Sequence, residues 1–242
     1  QASRVIHLAI GITGASAAYA LYAGITWGWP LAAAILFALC IALLIGVIAA
    51  RILEPCAARQ EPLLGLLVSF ALGMSMESLI AILFGTDGKS FQQGILPVVS
   101  FKEFSLDLPG LITISLGLAS ALCAWLTVRY TGAGRLLRSI AEHAALATSL
   151  GVSTPLVRYI AYGSASLVAA LVITLAGWHT ALTPSMGFYF VITAFMALLI
   201  GGAHDIRGTV VASYMLAIIP GLVIGFTPGL SENWRGVLLF GI

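Results

Sequence analysis

The chain of 242 residues is 60% hydrophobic and only 8% charged, with a mean hydropathy of +1.08. Soluble domains carry roughly 25% charged residues, so this composition excludes one and leaves an integral membrane protein, long enough for about seven spans of ~20 residues each. A net charge of +2 gives no case for a nucleic-acid partner, whose phosphates call for a strongly basic surface.

Apolar segments run approximately over 5–25, 30–50, 63–85, 109–128, 157–178, 186–203 and 208–227, and a last one begins near 233. Backbone groups in lipid must be satisfied within their own segment, so these are predicted helices. The expected fold is an all-α polytopic bundle of seven to eight transmembrane helices, in one domain over 1–242 with no repeat and no low-complexity linker. The start at Gln1 and the stop at Ile242 inside an apolar stretch point to trimmed ends. A helix before residue 1 stays open, and the absence of a signal peptide says nothing. Cys40, Cys56 and Cys123 are scattered and odd in number, which reads as three small apolar residues rather than a disulfide or metal set.

The third segment carries Glu77 in LGMSMESLI, beside Ser75 and Ser78 and between Met74, Met76 and Leu79. A carboxylate at bilayer depth costs roughly 2.5–3.5 kcal/mol on insertion scales, so it faces a polar partner or a cavity. It either lines a pathway for a polar solute or ties helices together. The loop 86–108, TDGKSFQQGILPVVSFKEFSLDL, alternates β-branched and aromatic residues and is expected to form a short strand or hairpin on the membrane surface.

Between the fourth and fifth segments lies a polar island, Arg129 to Arg158, with Arg135 and Arg138 beside Glu142 and His143. Helical projection puts Leu136, Leu137, Ile140, Ala144 and Ala147 on one side and Arg135, Arg138, Glu142 and Ser149 on the other. Gly151 can end that helix, and Thr154 with Pro155 can start the next as N-cap and first-turn proline. The pattern is an amphipathic helix held between two spans, serving either as a docking element or as a solvated loop whose arginines fix topology.

Thr183-Pro184-Ser185-Met186-Gly187 then opens a helix, either deep in the membrane, where its N-terminus suits a carboxylate, or as an ordinary turn outside. His204, Asp205 and Arg207 make a compact charged turn. Gly221, Gly225 and Gly229 form a small-residue ridge, read as intramolecular packing ahead of a subunit interface. With the island inside, Arg4, Arg51, Arg59 and Arg207 fall inside too. That leaves eight basic residues inside against Lys89, Lys102 and Arg235 outside. This parity fails if 186–203 re-enters rather than spans.

No G-x-x-x-x-G-K-S/T loop is present to cradle phosphates. The aspartates at 87, 107 and 205 lie in loops and the histidines never approach H-E-x-x-H spacing, so neither a membrane protease nor a metal enzyme is supported.

From Thr131 to Gly225 the chain resembles the permease subunits of the branched-chain amino acid ABC importer family. One carrier is TGAGRLLRSIAEHAALATSLGV. The other is PSMGFYFVITAFMALLIGGAHDIRG, with Pro184, Met186, Gly187, Ala194, Phe195, Gly201, Gly202 and Gly208 at the family's motif positions. Weaker similarity reaches RVIHLAIG near the start. The chain departs from the pattern where the family has Asn and His (His7 and Ile10 here), Glu (Ala145), Gln (Glu77) and Lys (Thr193).

The resemblance implies a permease in a bacterial-type inner membrane, working with a second permease subunit, related or identical, two cytoplasmic ATPase subunits and an extracytoplasmic solute-binding protein. It implies no cofactor in this chain, ATP and Mg being bound by the ATPase. The 130–152 stretch becomes a cytoplasmic coupling loop, with Arg135, Arg138, Glu142, His143, Leu146 and Gly151 as ATPase-contacting residues. Glu77, Ser75, Ser78, Pro184, Ser185, Met186 and His7 become pathway candidates for a small solute such as an apolar amino acid. The alternative is a stand-alone secondary carrier or facilitator using Glu77.

Overall fold

Why the first helix sits at the centre follows from its side chains. In a computed structural model, which describes residues 8–59, 61–91, 98–101, 104–202 and 206–227, α1 (Ile10–Thr26) is buried on all sides from Gly11 to Leu21. Its sequence, GITGASAAYALYAG, is small almost throughout, so neighbouring backbones come close. A Cβ at Gly14 would lie 2.7 Å from the carbonyl oxygen of Ala169, and one at Gly24 would lie 2.8 Å from the Ala34 Cβ. Ala169 belongs to α6 (Thr154–His179) and Ala34 to α2 (Leu31–Ala58), which cross at mid-length where Gly46 meets the Ser166 side chain. With α3 (Pro62–Phe84), these helices make a bundle around α1.

One end of this bundle is marked by Trp27 and Trp29, which touch each other and Phe37. At this tryptophan end the chain after α3 folds back. Lys89 and Leu182 exchange two backbone hydrogen bonds, and Phe91 stacks on Trp178 with centroids 4.8 Å apart. The expected hairpin follows as β1 (Val98–Phe101) and β2 (Phe104–Asp107), antiparallel, with Val98 opposite Asp107 and Phe101 opposite Phe104. Next come α4 (Leu108–Tyr130) and α5 (Gly132–Ser149), ahead of α6.

The predicted spans match α1 to α4, α6 and two further helices, α7 (Met186–Gly201) and α8 (Ile206–Phe226). Among the described residues five helices, α2, α3, α4, α6 and α8, are long and apolar enough to cross a membrane; α7 is shorter. The segment expected near 233 lies outside the described residues. The reading of 30–50 stopped at the first charge, Arg51, whereas α2 continues to Ala58 because Glu54 finds a cationic partner on α6.

The chain divides into two compact units, 1–188 and 189–242. In the second, α7 and α8 meet at an elbow that only glycines permit. A Cβ on Gly201 would overlap the Gly208 carbonyl and the Thr209 Cα, and Gly202 adopts φ +88°. Thr209 closes the turn by donating its hydroxyl to the Gly202 carbonyl. Among the described residues nothing lies within 4 Å of a Cβ built at Gly221 or Gly225, and Gly229 lies outside them.

Candidate functional site

Two features rise from this framework, and the first is where α7 begins. Leu182 is buried at the tryptophan end, where its carbonyl accepts from Lys89 N–H and from the Tyr19 hydroxyl at 2.9 Å. The chain then runs as turn and extended backbone through Thr183–Ser185, with Met186 N–H donating to the Thr183 carbonyl. By Gly187 it has reached Gly11, whose carbonyl oxygen would sit 2.6 Å from an added Cβ. Tyr19 and Gly11 are eight residues apart on α1, about 12 Å along its axis. Gly11 lies one turn below Gly14, itself level with Ala169 near the middle of α6. The helix start is therefore at mid-bundle and not in a turn at the bundle's end. Pro184 and Met186 are buried there and Ser185 is exposed. A helix N-terminus at this depth presents the positive end of its dipole to whatever occupies the midplane.

Glu77 belongs to the same level. Phe70 touches Phe188, in the first turn of α7, with ring centroids 5.6 Å apart. Residues 70, 74 and 77 follow one stripe of α3, placing Glu77 about 10 Å above that contact. Gly73, one turn below Glu77, lies against Ala9. Glu77 is half-buried, and its carboxylate has no hydrogen-bond or ion-pair partner among the described residues. Ser78, four residues on from Met74, faces the same side of α3, and Ser75 stands about 100° from Met74. Both are exposed, and the Ser75 hydroxyl is spent on the Ala71 carbonyl of its own helix. His7 lies outside the described residues.

The second feature is α5, whose two ends are fixed. Thr131 caps it, accepting from Gly134 N–H at 3.1 Å, and the same hydroxyl donates to the Thr127 carbonyl at 2.6 Å. Gly134 presses on the last carbonyls of α4, so that any side chain there would collide with Thr127 and Val128. At the other end Gly151, at φ +84°, donates to Thr148, and Val152 donates to Ala147. This is the paired closure that glycine makes after a helix. The helix cap before α6 is Ser153 rather than Thr154, which is already the first helical residue, with Pro155 in the first turn as expected.

Ile140 and Ala147 are buried and Leu137 partly so, whereas Leu136, placed on that side by projection, is 41% exposed. The contact with α4 and α6 is narrower than the apolar face, and Leu136 stands about 100° from Leu137 around the helix. Leu146 and Leu150 are also exposed, at 59% and 76%, alongside Arg135 and Arg138. Glu142 and His143 fall within α5, but their side chains lie outside the described set, as do His204 and Asp205.

Sequence reasoning missed one pair. By sequence Arg158 closes the polar island, but it is buried on α6 and donates to Glu54 of α2 at 2.8 Å. Leu53, Ala57, Tyr159 and Tyr162 belong to the apolar cluster at the same helix turns, and the Arg158 Nε has no partner among the described residues. The available signal was that each charge lies a turn or more inside an otherwise apolar helix.

The family model for the branched-chain amino acid transport system permease component matches residues 1–242. The high-affinity branched-chain amino acid transport system permease proteins LivH of Escherichia coli K12 and of Salmonella typhimurium are each 28% identical over 116 residues. That alignment covers 48% of this chain and 37% of either relative, so the chain matches little more than a third of their length. No solved structure matches the chain.

Proposed function

The chain belongs to the branched-chain amino acid transport permease family, a family of multi-pass membrane components of multi-subunit transport systems, and from that footing we propose that it is the pathway-forming subunit of an ATP-driven ABC importer for a small solute such as a branched-chain or other apolar amino acid. It acts in an inner membrane beside a second permease, two ATPase subunits that bind ATP and Mg, and a solute-binding protein outside. The arginine-bearing α5 lies on the cytoplasmic side and the 86–108 loop on the opposite face.

The observation that carries this reading is α5 itself. An 18-residue amphipathic helix, fixed at both ends between apolar helices, leaves Leu146 and, just past its end, Leu150 exposed, with Arg135 and Arg138 exposed nearer its start. Exposed leucines on an otherwise polar face favour a protein groove over water. ATP-bound and ATP-free ATPase dimers hold different separations, and a docked α5 passes that preference onward. Its closure at Gly151 leads directly into α6, whose Arg158 is tied to Glu54 on α2. A displacement of α5 therefore reaches the helices around α1 with little slack.

The midplane supplies the solute contacts. A zwitterionic amino acid offers a carboxylate to the start of α7 and an ammonium to Glu77, with Met74 and Met186 as adaptable apolar surface. Uptake of radiolabelled leucine into proteoliposomes containing the assembled complex tests the reading. Accumulation should require internal ATP and the binding protein. ATP-independent equilibration by this chain alone would make it a facilitator.

A further inference from the structure

We propose that the α4–α5 elbow is a binding site for the phosphate group of an anionic membrane lipid. The argument begins with Arg129, the first charged residue after the apolar run of α4. Its guanidinium lies 5.2 Å from the Trp125 ring centroid and 5.6 Å from that of Tyr130, and the two rings meet edge to face. Tryptophan and tyrosine at a span's end mark headgroup level. A guanidinium held on ring faces keeps its N–H groups in the open plane.

Arg138 folds back from α5 to the same place, donating to the Arg129 carbonyl at 3.4 Å. Arg135 leans over the start of α5, 3.8 Å from where a Gly132 Cβ would be. All three arginines are exposed, and none forms an ion pair with a described carboxylate. Among the described residues, only that one of their many N–H donors is engaged. The elbow cannot relax to spread these charges, because Gly134 is pressed on the α4 carbonyls and Thr131 bonds across the joint. Fixed, adjacent guanidiniums at headgroup depth suit a phosphodiester bearing a net negative charge. A zwitterionic headgroup brings its own cation and gains far less. The exposed leucines that suit a protein partner, Leu146 and Leu150, stand at the other end of α5.

The full-length permease, in its complex, is placed in nanodiscs of equal dioleoyl-phosphatidylglycerol and dioleoyl-phosphatidylcholine. Lipids retained after extraction are then counted by native mass spectrometry. Wild type should retain phosphatidylglycerol preferentially. Each of Arg129→Gln, Arg135→Gln and Arg138→Gln should reduce that preference about fivefold, and the triple variant roughly a hundredfold. Should the triple variant fail to fold, the single variants decide. Equal retention of both lipids by wild type overturns the proposal, as does a preference that survives the substitutions. Displacement by millimolar inorganic phosphate would make this a free-anion site instead. Loss of ATPase subunits with phosphatidylglycerol retention intact would assign the arginines to that partner.

Discussion

Glu54 and Arg158 give the sharpest test of how the bundle is held. Replacing Glu54 by leucine strands a guanidinium whose side chain is 7% exposed and whose Nε already lacks a partner among the described residues. Breaking a buried pair from one side costs about 3–5 kcal/mol, and Glu54→Leu should fall in that range. Arg158→Leu strands Glu54 instead, but that carboxylate is 21% exposed and can still reach water. Its loss should be nearer 1–3 kcal/mol, roughly the penalty for an unsatisfied group. The double variant puts leucine against leucine beside Leu53 and Tyr162 and should lie within about 1 kcal/mol of wild type, since apolar replacement of a whole buried pair is often neutral. Tryptophan-fluorescence melts of the four proteins in one detergent complete the cycle, with monodispersity on gel filtration as the control. Additive single effects, within about 0.5 kcal/mol, would refute the coupling. A larger loss for Arg158→Leu than for Glu54→Leu would refute the exposure argument.

Gly187→Val should prevent the start of α7 from seating on Gly11, lowering complex yield or uptake severely, because even one Cβ would lie 2.6 Å from a carbonyl oxygen; wild-type uptake by this variant would sink the mid-bundle placement. Glu77→Gln should impair uptake more than assembly, measured as transport against purified complex, and the opposite pattern would make the residue a helix tie. Ala144→Pro, in the middle of α5 where proline costs about 3 kcal/mol, should leave the membrane helices inserted while hydrolysis and transport uncouple, and full ATP-dependent transport would end the docking assignment. Cysteine at Lys89 should react with an impermeant reagent in intact cells and cysteine at Arg59 should not; the reverse inverts the orientation.

Apolar runs bounded by charge or glycine made most helices legible in the sequence, and α5 was legible by its two-sided pattern and its stop at Gly151. Where reading failed, a charge was treated as the end of a span. Arg51 cut α2 short and Arg158 closed the polar island, because a partner a hundred positions away leaves no local trace. The depth of α7 was equally hidden. Its proline-containing start reads the same at the surface or at mid-bundle, and only the contact of Gly187 with Gly11 separates the two. Projection overstated the buried side of α5 by including Leu136, since periodicity gives direction but not the width of the surface it meets.

The Lys89–Leu182 pairing also bears on how the protein can drift in sequence. Its two hydrogen bonds are made entirely by main chain, and the Leu182 carbonyl takes a third from Tyr19. Substitution at either paired position leaves the seam intact unless proline removes a donor. The loop after α3 is thereby fastened to the stretch that leads down to α7, and the two must rise or settle together. Variation in that loop can reshape this end of the bundle without detaching it from the stretch that leads to α7, while the Tyr19 hydroxyl and the Tyr22 ring on Phe91 register its position from α1.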